Sequence, residues 1–314
     1  MVVSEGIVFK GAEALSIENE QLRAVITVRG SKMVSLLDKT TGRELLLQSK
    51  NDRLVQGDYD SDYNAVDVCG FDEMFPTIDA SFSEQAPWEG VRLPDHGEVW
   101  SLDWDCAASG NSLEAHVYGL RFPYRLSKRI YFKDKATLRI DYALQNLSPF
   151  DMDFIWAAHA MFALEDDSIL VLPNPSAEAT VTYSHRARLG RYGERISLGS
   201  KYALREPNGL AAVMPNEVYI DKYYLNDPLP EGYCGIAYPS ECRACMLSFP
   251  VQTVPYLGVL LTNGLHLGNC AILEPCTGAF DRPDRARAFG MNSVLGAKSG
   301  SSWHLEFSCV QYRL

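Results

Sequence analysis

No stretch of the chain is long and apolar enough for a transmembrane helix. Met1 to Phe9 has no cationic start followed by a long apolar core, because Glu5 and Gly6 interrupt it. A signal peptide is therefore not expected, and the cytoplasm is the expected compartment. There is no Gly-rich phosphate loop, no G-x-S-x-G elbow and no internal repeat. A long helical period is missing too, and only Pro283 to Phe289 suggests a short helix. Positive charge is scarce. With 29 Lys and Arg against 40 Asp and Glu, the net charge is -11, and the pI near 5.1 argues against a nucleic-acid partner or an acidic polymer. Among eight cysteines, Cys242 and Cys245 form one C-x-x-C pair with no second pair at zinc spacing. Reduced, buried thiols are expected rather than a metal site.

What is present is a large apolar content organised with a two-residue period. At 314 residues and 46% hydrophobic, the chain can bury a sizeable core. Leu22–Val28, Met33–Leu37 and Glu44–Leu47 read as an opening meander, with Gly30 and Asp38–Gly42 as breaks. Leu113–Tyr118, Tyr124–Phe132 and Leu138–Leu144 alternate clearly, and Trp303, Leu305, Phe307 and Cys309 take one face of a last strand. His304 is then on the outer face, and His116, His185 and His266 read as bland. Residues 165–215 read as loop-rich. The expectation is an all-β chain of antiparallel strands in two or more packed sheets, forming one domain over 1–314.

Two apolar runs each hold a single ionisable residue. One is Phe154-Ile155-Trp156-Ala157-Ala158-His159-Ala160-Met161-Phe162, approached through Asp151 and Asp153; the other is Cys270-Ala271-Ile272-Leu273-Glu274-Pro275. In the first, Ile155, Ala157 and His159 share a face opposite Phe154, Trp156 and Ala158, so the ring of His159 has small neighbours. Taken alone, a histidine in such a run is more often a satisfied core residue than a functional one. Asn51–Asn64 is polar and reads as an excursion from the core. Gly70–Ile78 concentrates loop chemistry, either a surface turn pinned by Phe71 and Phe75 or a segment placing Asp72 or Glu73 at a pocket rim. Pro94–Trp100 is a turn that presents Asp95, His96 and Glu98 together, solvated or converging on a ligand, with Trp100 and Trp104 close by for stacking on a sugar. Arg186, Arg188, Arg191 and Arg195 cluster with Tyr183 and Tyr192, and read as a solvated loop.

Four of these segments occur in an order that resembles the galactose mutarotase-like, aldose 1-epimerase family: Gly70–Ile78, Pro94–Trp100, the strands from Thr137 into His159, and Leu273-Glu274-Pro275. The resemblance spans nearly the whole chain. It implies a β-supersandwich of large antiparallel sheets that binds a small-molecule sugar on one sheet, with no cofactor and no metal. It implies His159 and Glu274 as catalytic acid and base. His96 looks like the family's second sugar-contacting histidine, and Asp221 like its sugar-binding aspartate. Asp72, Glu73 and Trp156 are further candidates for the sugar site. The family's His-Pro-Tyr-Phe stands here as His159-Ala160-Met161-Phe162, and no arginine is assigned to the family's sugar-binding arginine. The activity implied is interconversion of the anomers of a hexose. Two alternatives remain on the same fold: a non-catalytic carbohydrate-binding protein, and a hexose-6-phosphate 1-epimerase that uses the Arg186–Arg195 cluster.

Overall fold

The computed structural model describes residues 1–173, 178–198, 204–205, 210–212, 218–265 and 267–312. His266 lies outside them. Two large antiparallel sheets carry the architecture. The first has twelve strands. Its order runs from Val2–Phe9, Ala12–Glu18, Leu22–Thr27 and Met33–Asp38, through Phe71–Met74, Ala157–Ala163, Gly268–Cys276, Tyr256–Leu265 and Tyr219–Leu225, to Glu178–Ser184 and Arg195–Ser197. Arg43–Glu44 pairs beside Met33–Asp38. The second sheet has ten strands and centres on Arg243–Ser248, Gly300–Gln311, Thr137–Asn146 and Tyr124–Phe132.

The facing surfaces of the two sheets form one apolar core. Phe71, Phe162 and Leu273 from the first meet Tyr142, Leu305 and Phe307 from the second. Phe71 and Phe307 touch edge to face, with ring centroids 5.1 Å apart. Each such side chain contributes roughly 1.5–3 kcal/mol of hydrophobic free energy. The outer face of the first sheet is covered as well. Met161, Cys270 and Ile272 lie under Leu47 and Val68 on one side, and Ala157, Cys276 and Tyr256 lie under Ile78 and Phe280 on the other. Burial on both faces explains why the central strands read as continuous apolar runs. Between the two apolar patches runs a band of ionisable side chains.

Several expectations are corrected here. Gly70–Ile78 is a loop only in part: Phe71–Met74 is a fully buried central strand, and residues 75–78 are irregular. Its acids mimic loop composition, but each is buried against partners of its own. The run through His159 is two strands. Met152–Phe154 pairs with Ser293–Leu295, and Ala157–Ala163 enters the large sheet. Among the described residues, 165–215 contain the strands Ile169–Val171, Glu178–Ser184 and Arg195–Ser197. The short helix is Pro283–Ala288, opened by proline at its first position. Cys245 is buried opposite Cys309, whereas Cys242 is exposed. No helix among the described residues is long and apolar enough to cross a membrane.

Candidate functional site

Register builds the site. Asp72 pairs with His159 across Phe71–Met74 and Ala157–Ala163. Ala157 pairs with Cys276 and Ala160 with Leu273, so the same ladder sets His159 opposite Glu274. Glu274 pairs with Gly258, and Gly258 with Tyr224. Cross-strand partners point to one face. Asp72, His159, Glu274 and Tyr224 therefore form one row across five strands of the outer face, with Gly258 supplying no side chain between Glu274 and Tyr224. Both flanking groups lean into that gap, since a Cβ on Gly258 would stand 3.0 Å from Glu274 Oε2 and 3.2 Å from the Tyr224 ring.

The two central members are held differently. His159 is 3% exposed, and its Nδ1 lies 3.0 Å from Asp72 Oδ1 and 3.1 Å from the Tyr63 hydroxyl. Tyr63 also donates to Asp72 Oδ2 at 2.9 Å, and Lys32 Nζ stands 3.2 Å from that oxygen. Burial alone would raise the Asp72 carboxyl, but Lys32, His159 and Tyr63 hold it well below the usual range. An ionised Asp72 accepts the proton of Nδ1, which directs Nε2 to the outer face. No hydrogen bond among the described residues engages Nε2. Burial pulls the imidazole below its ordinary pKa, with Asp72 opposing.

Glu274 is 1% exposed. Lys222 Nζ stands 2.9 Å from its Oε2, a buried ion pair. Lys222 also lies 2.7 Å from Asp281 Oδ1, which accepts from the Tyr224 hydroxyl at 2.6 Å. Burial pushes the Glu274 carboxyl above its ordinary value; Lys222 offsets this in part, and Asp281 adds to it.

The Pro94–Trp100 turn closes one end. His96 stacks on Tyr63 with centroids 3.7 Å apart and planes 5° from parallel, and its ring centre is 5.3 Å from that of His159. Trp100 meets Tyr63 edge-on at 5.0 Å and donates its Nε1–H to the carbonyl of Asp95. Gly97 has φ +74, and a Cβ there would lie 2.1 Å from the Phe75 carbonyl oxygen. Gly97→Ala is expected to lose about 1–3 kcal/mol from the left-handed backbone alone, and more from the clash; urea unfolding monitored by fluorescence measures it.

The candidates from the sequence therefore separate. His159, Glu274, Asp72 and His96 come together. Glu73 does not: it points into the core between the sheets, where it pairs with Lys128 at 2.8 Å and accepts from Tyr142. Trp156 is in that core too, 5.0 Å from the rings of Tyr142 and Trp303. Asp221 is buried on the core side of its strand, accepting from Ser184 and Arg188. Its neighbour Lys222 takes the outer face, because successive strand residues alternate. Glu98 supports the turn from beneath, accepting from Tyr124, Tyr59 and the amide of Arg121. Tyr63, Lys222 and Asp281 were missed. Strand parity with Tyr224 signals Lys222; nothing local signals Tyr63 or Asp281, which arrive on loops.

No family model and no curated protein sequence matches the chain. Solved structures do. A galactose mutarotase-like protein from Clostridium acetobutylicum superposes with a TM-score of 0.71 at 13% identity, covering 99% of this chain and 98% of that one. The chain has the galactose mutarotase-like fold. A second galactose mutarotase-like protein, from Lactobacillus casei, gives 0.68 at 17% identity over 95% of this chain and all of the other. A galactose mutarotase related enzyme from Lactobacillus acidophilus gives 0.67 at 13%, over 96% of this chain and all of its own.

Proposed function

We propose that the protein is an aldose 1-epimerase that interconverts the α and β anomers of a hexose through ring opening. The carrying observation is the adjacency of His159 and Glu274 in one cross-strand row, with Nδ1 of the histidine held and Nε2 turned outward. The cycle needs two proton transfers. Glu274 takes the proton of the anomeric hydroxyl. The electrons of that O–H bond form the C1 carbonyl, the bond from C1 to the ring oxygen breaks, and the His159 imidazolium, protonated on both nitrogens, gives its Nε2 proton to the ring oxygen and is left as the Nδ1–H tautomer held by Asp72. Rotation about C1–C2 presents the other carbonyl face, and the reverse transfers close the ring.

The electrostatics suit this task. Burial raises the proton affinity of the carboxylate and lowers that of the imidazole. The two pKa values move towards each other, which brings the proton transfers through the substrate closer to thermoneutral. His96, stacked on Tyr63, is placed to bind a hydroxyl. Of the arginine cluster, Arg188 is committed to Asp221 and Arg195 lies 3.8 Å from Glu178, which leaves a phosphate ester less support than a neutral hexose.

Polarimetry tests the proposal. Freshly dissolved α-glucose and α-galactose are expected to reach equilibrium rotation faster with the protein than without it. No acceleration with a panel of aldoses, alongside measurable sugar affinity, would replace the epimerase by a binding protein.

A further inference from the structure

Lys222 has no role in the cycle above, yet it is a buried ammonium in contact with its base. It reaches from Tyr219–Leu225, past Gly258, to the Glu274 carboxylate. Its other contact, Asp281, is the closer one and is itself fixed by Tyr224. A buried cation needs a committed counter-anion. Asp281 meets that need, so Glu274 receives the field of Lys222 without being consumed as its sole partner.

We propose that Lys222, anchored on Asp281, is a positioning residue that keeps Glu274 ionised and oriented towards the anomeric hydroxyl. This rests on the reading of Glu274 as the base. The other groups around that carboxylate cannot substitute. On the flanking strand His159 is paired to Asp72, whose charge is balanced by Lys32. His96 acts from the Pro94–Trp100 turn, and Cys276 follows two residues along on the same strand. Asp281, on the far side of Lys222, favours the protonated form of Glu274. Lys222, 2.9 Å away, is thus the group in contact with Glu274 that favours the carboxylate, against burial and Asp281. When Glu274 takes the proton, Lys222 remains neutralised by Asp281, and no bare charge is left in the site.

The test uses two variants with opposite expected signs. In the full-length protein, Lys222→Met is expected to move the acid limb of the kcat/KM profile upward by about one to three pH units. Its kcat should fall and KM change little, and Lys222→Arg should restore the limb. Asp281→Asn removes the competing acid and is expected to move the limb downward. Folding is checked by thermal melting; if Lys222→Met does not fold, the Asp281→Asn shift decides. An NMR titration of the 13C-labelled Glu274 carboxyl, assigned by its loss in Glu274→Gln, gives the same comparison without substrate. Limbs and titrations unmoved in the folded variants, or moved in the same direction, would overturn the role of Lys222. If the wild type accelerates no aldose while the NMR shifts appear as stated, the epimerase reading fails and the Lys222–Glu274 coupling stands.

Discussion

Glu274→Gln should abolish most of the anomer interconversion, by roughly two to four orders of magnitude, while the protein stays folded. The substitution keeps the shape of the side chain and removes its ability to accept a proton. Lys222 retains Asp281 at 2.7 Å, so no unpaired cation is created and the usual penalty for breaking a buried ion pair is avoided. Because the wild-type carboxyl is already pushed up by burial, a neutral amide at that position is tolerated electrostatically. The measurement is the polarimetric rate at saturating sugar, with the melting temperature as a control. Full activity in a folded Glu274→Gln protein would remove the base from the mechanism. A melting temperature that collapsed with the rate would mean that the residue is structural, and the role of base would lose its support.

The second large effect concerns stability. Glu73 is one residue from Asp72, but it faces the core, where Lys128 and Tyr142 share its carboxylate. Lys128 is also held over the Trp104 ring, 4.8 Å from its centroid, and donates to the carbonyl of Ser31. Glu73→Ala strands a buried ammonium and should cost about 3–5 kcal/mol, a large fraction of the roughly 5–15 kcal/mol that holds a typical domain together. The triple variant Glu73→Leu, Lys128→Met, Tyr142→Phe replaces the whole cluster with apolar groups of similar size. It is expected to recover most of that loss. Urea denaturation of both proteins provides the comparison. The triple variant should also keep its mutarotation rate, since Glu73 lies on the other side of the strand from His159. A rate lost in a stable triple variant would mean that the cluster reaches the site.

The contrast between Asp72 and Glu73 shows what the sequence reveals and what it conceals. The sheets were legible because alternation is a local property: Tyr124–Phe132 and Thr137–Asn146 show their faces residue by residue. His159 and Glu274 were legible because a lone ionisable group inside an apolar run is expensive to bury and demands a reason. Choosing between adjacent acids was harder. Asp221 was chosen where Lys222 holds the outer face, and a shift of one residue in a strand reverses the direction of the side chain. Gly70–Ile78 read as a loop because its acids hide a strand whose two faces serve different purposes. Tyr63 and Asp281 could not be found locally at all, because loops deliver them to the row and only the closed fold sets where a loop ends.

The cross-strand row acts as a ruler. Neighbouring strands are spaced about 4.8 Å apart by their backbone hydrogen bonds, so the separation of the strands that carry His159 and Glu274 is set by the main chain rather than by side-chain packing. Along the strand the next outward position is about 7 Å away, and there the sheet offers Met161 and Ile272 on one side and Ala157 and Cys276 on the other. Those positions are buried under Leu47 and Val68 on one side and Ile78 and Phe280 on the other, so two apolar clusters brace the polar row from both ends. A change of volume in either cluster is therefore expected to cost stability before it alters the spacing of the row.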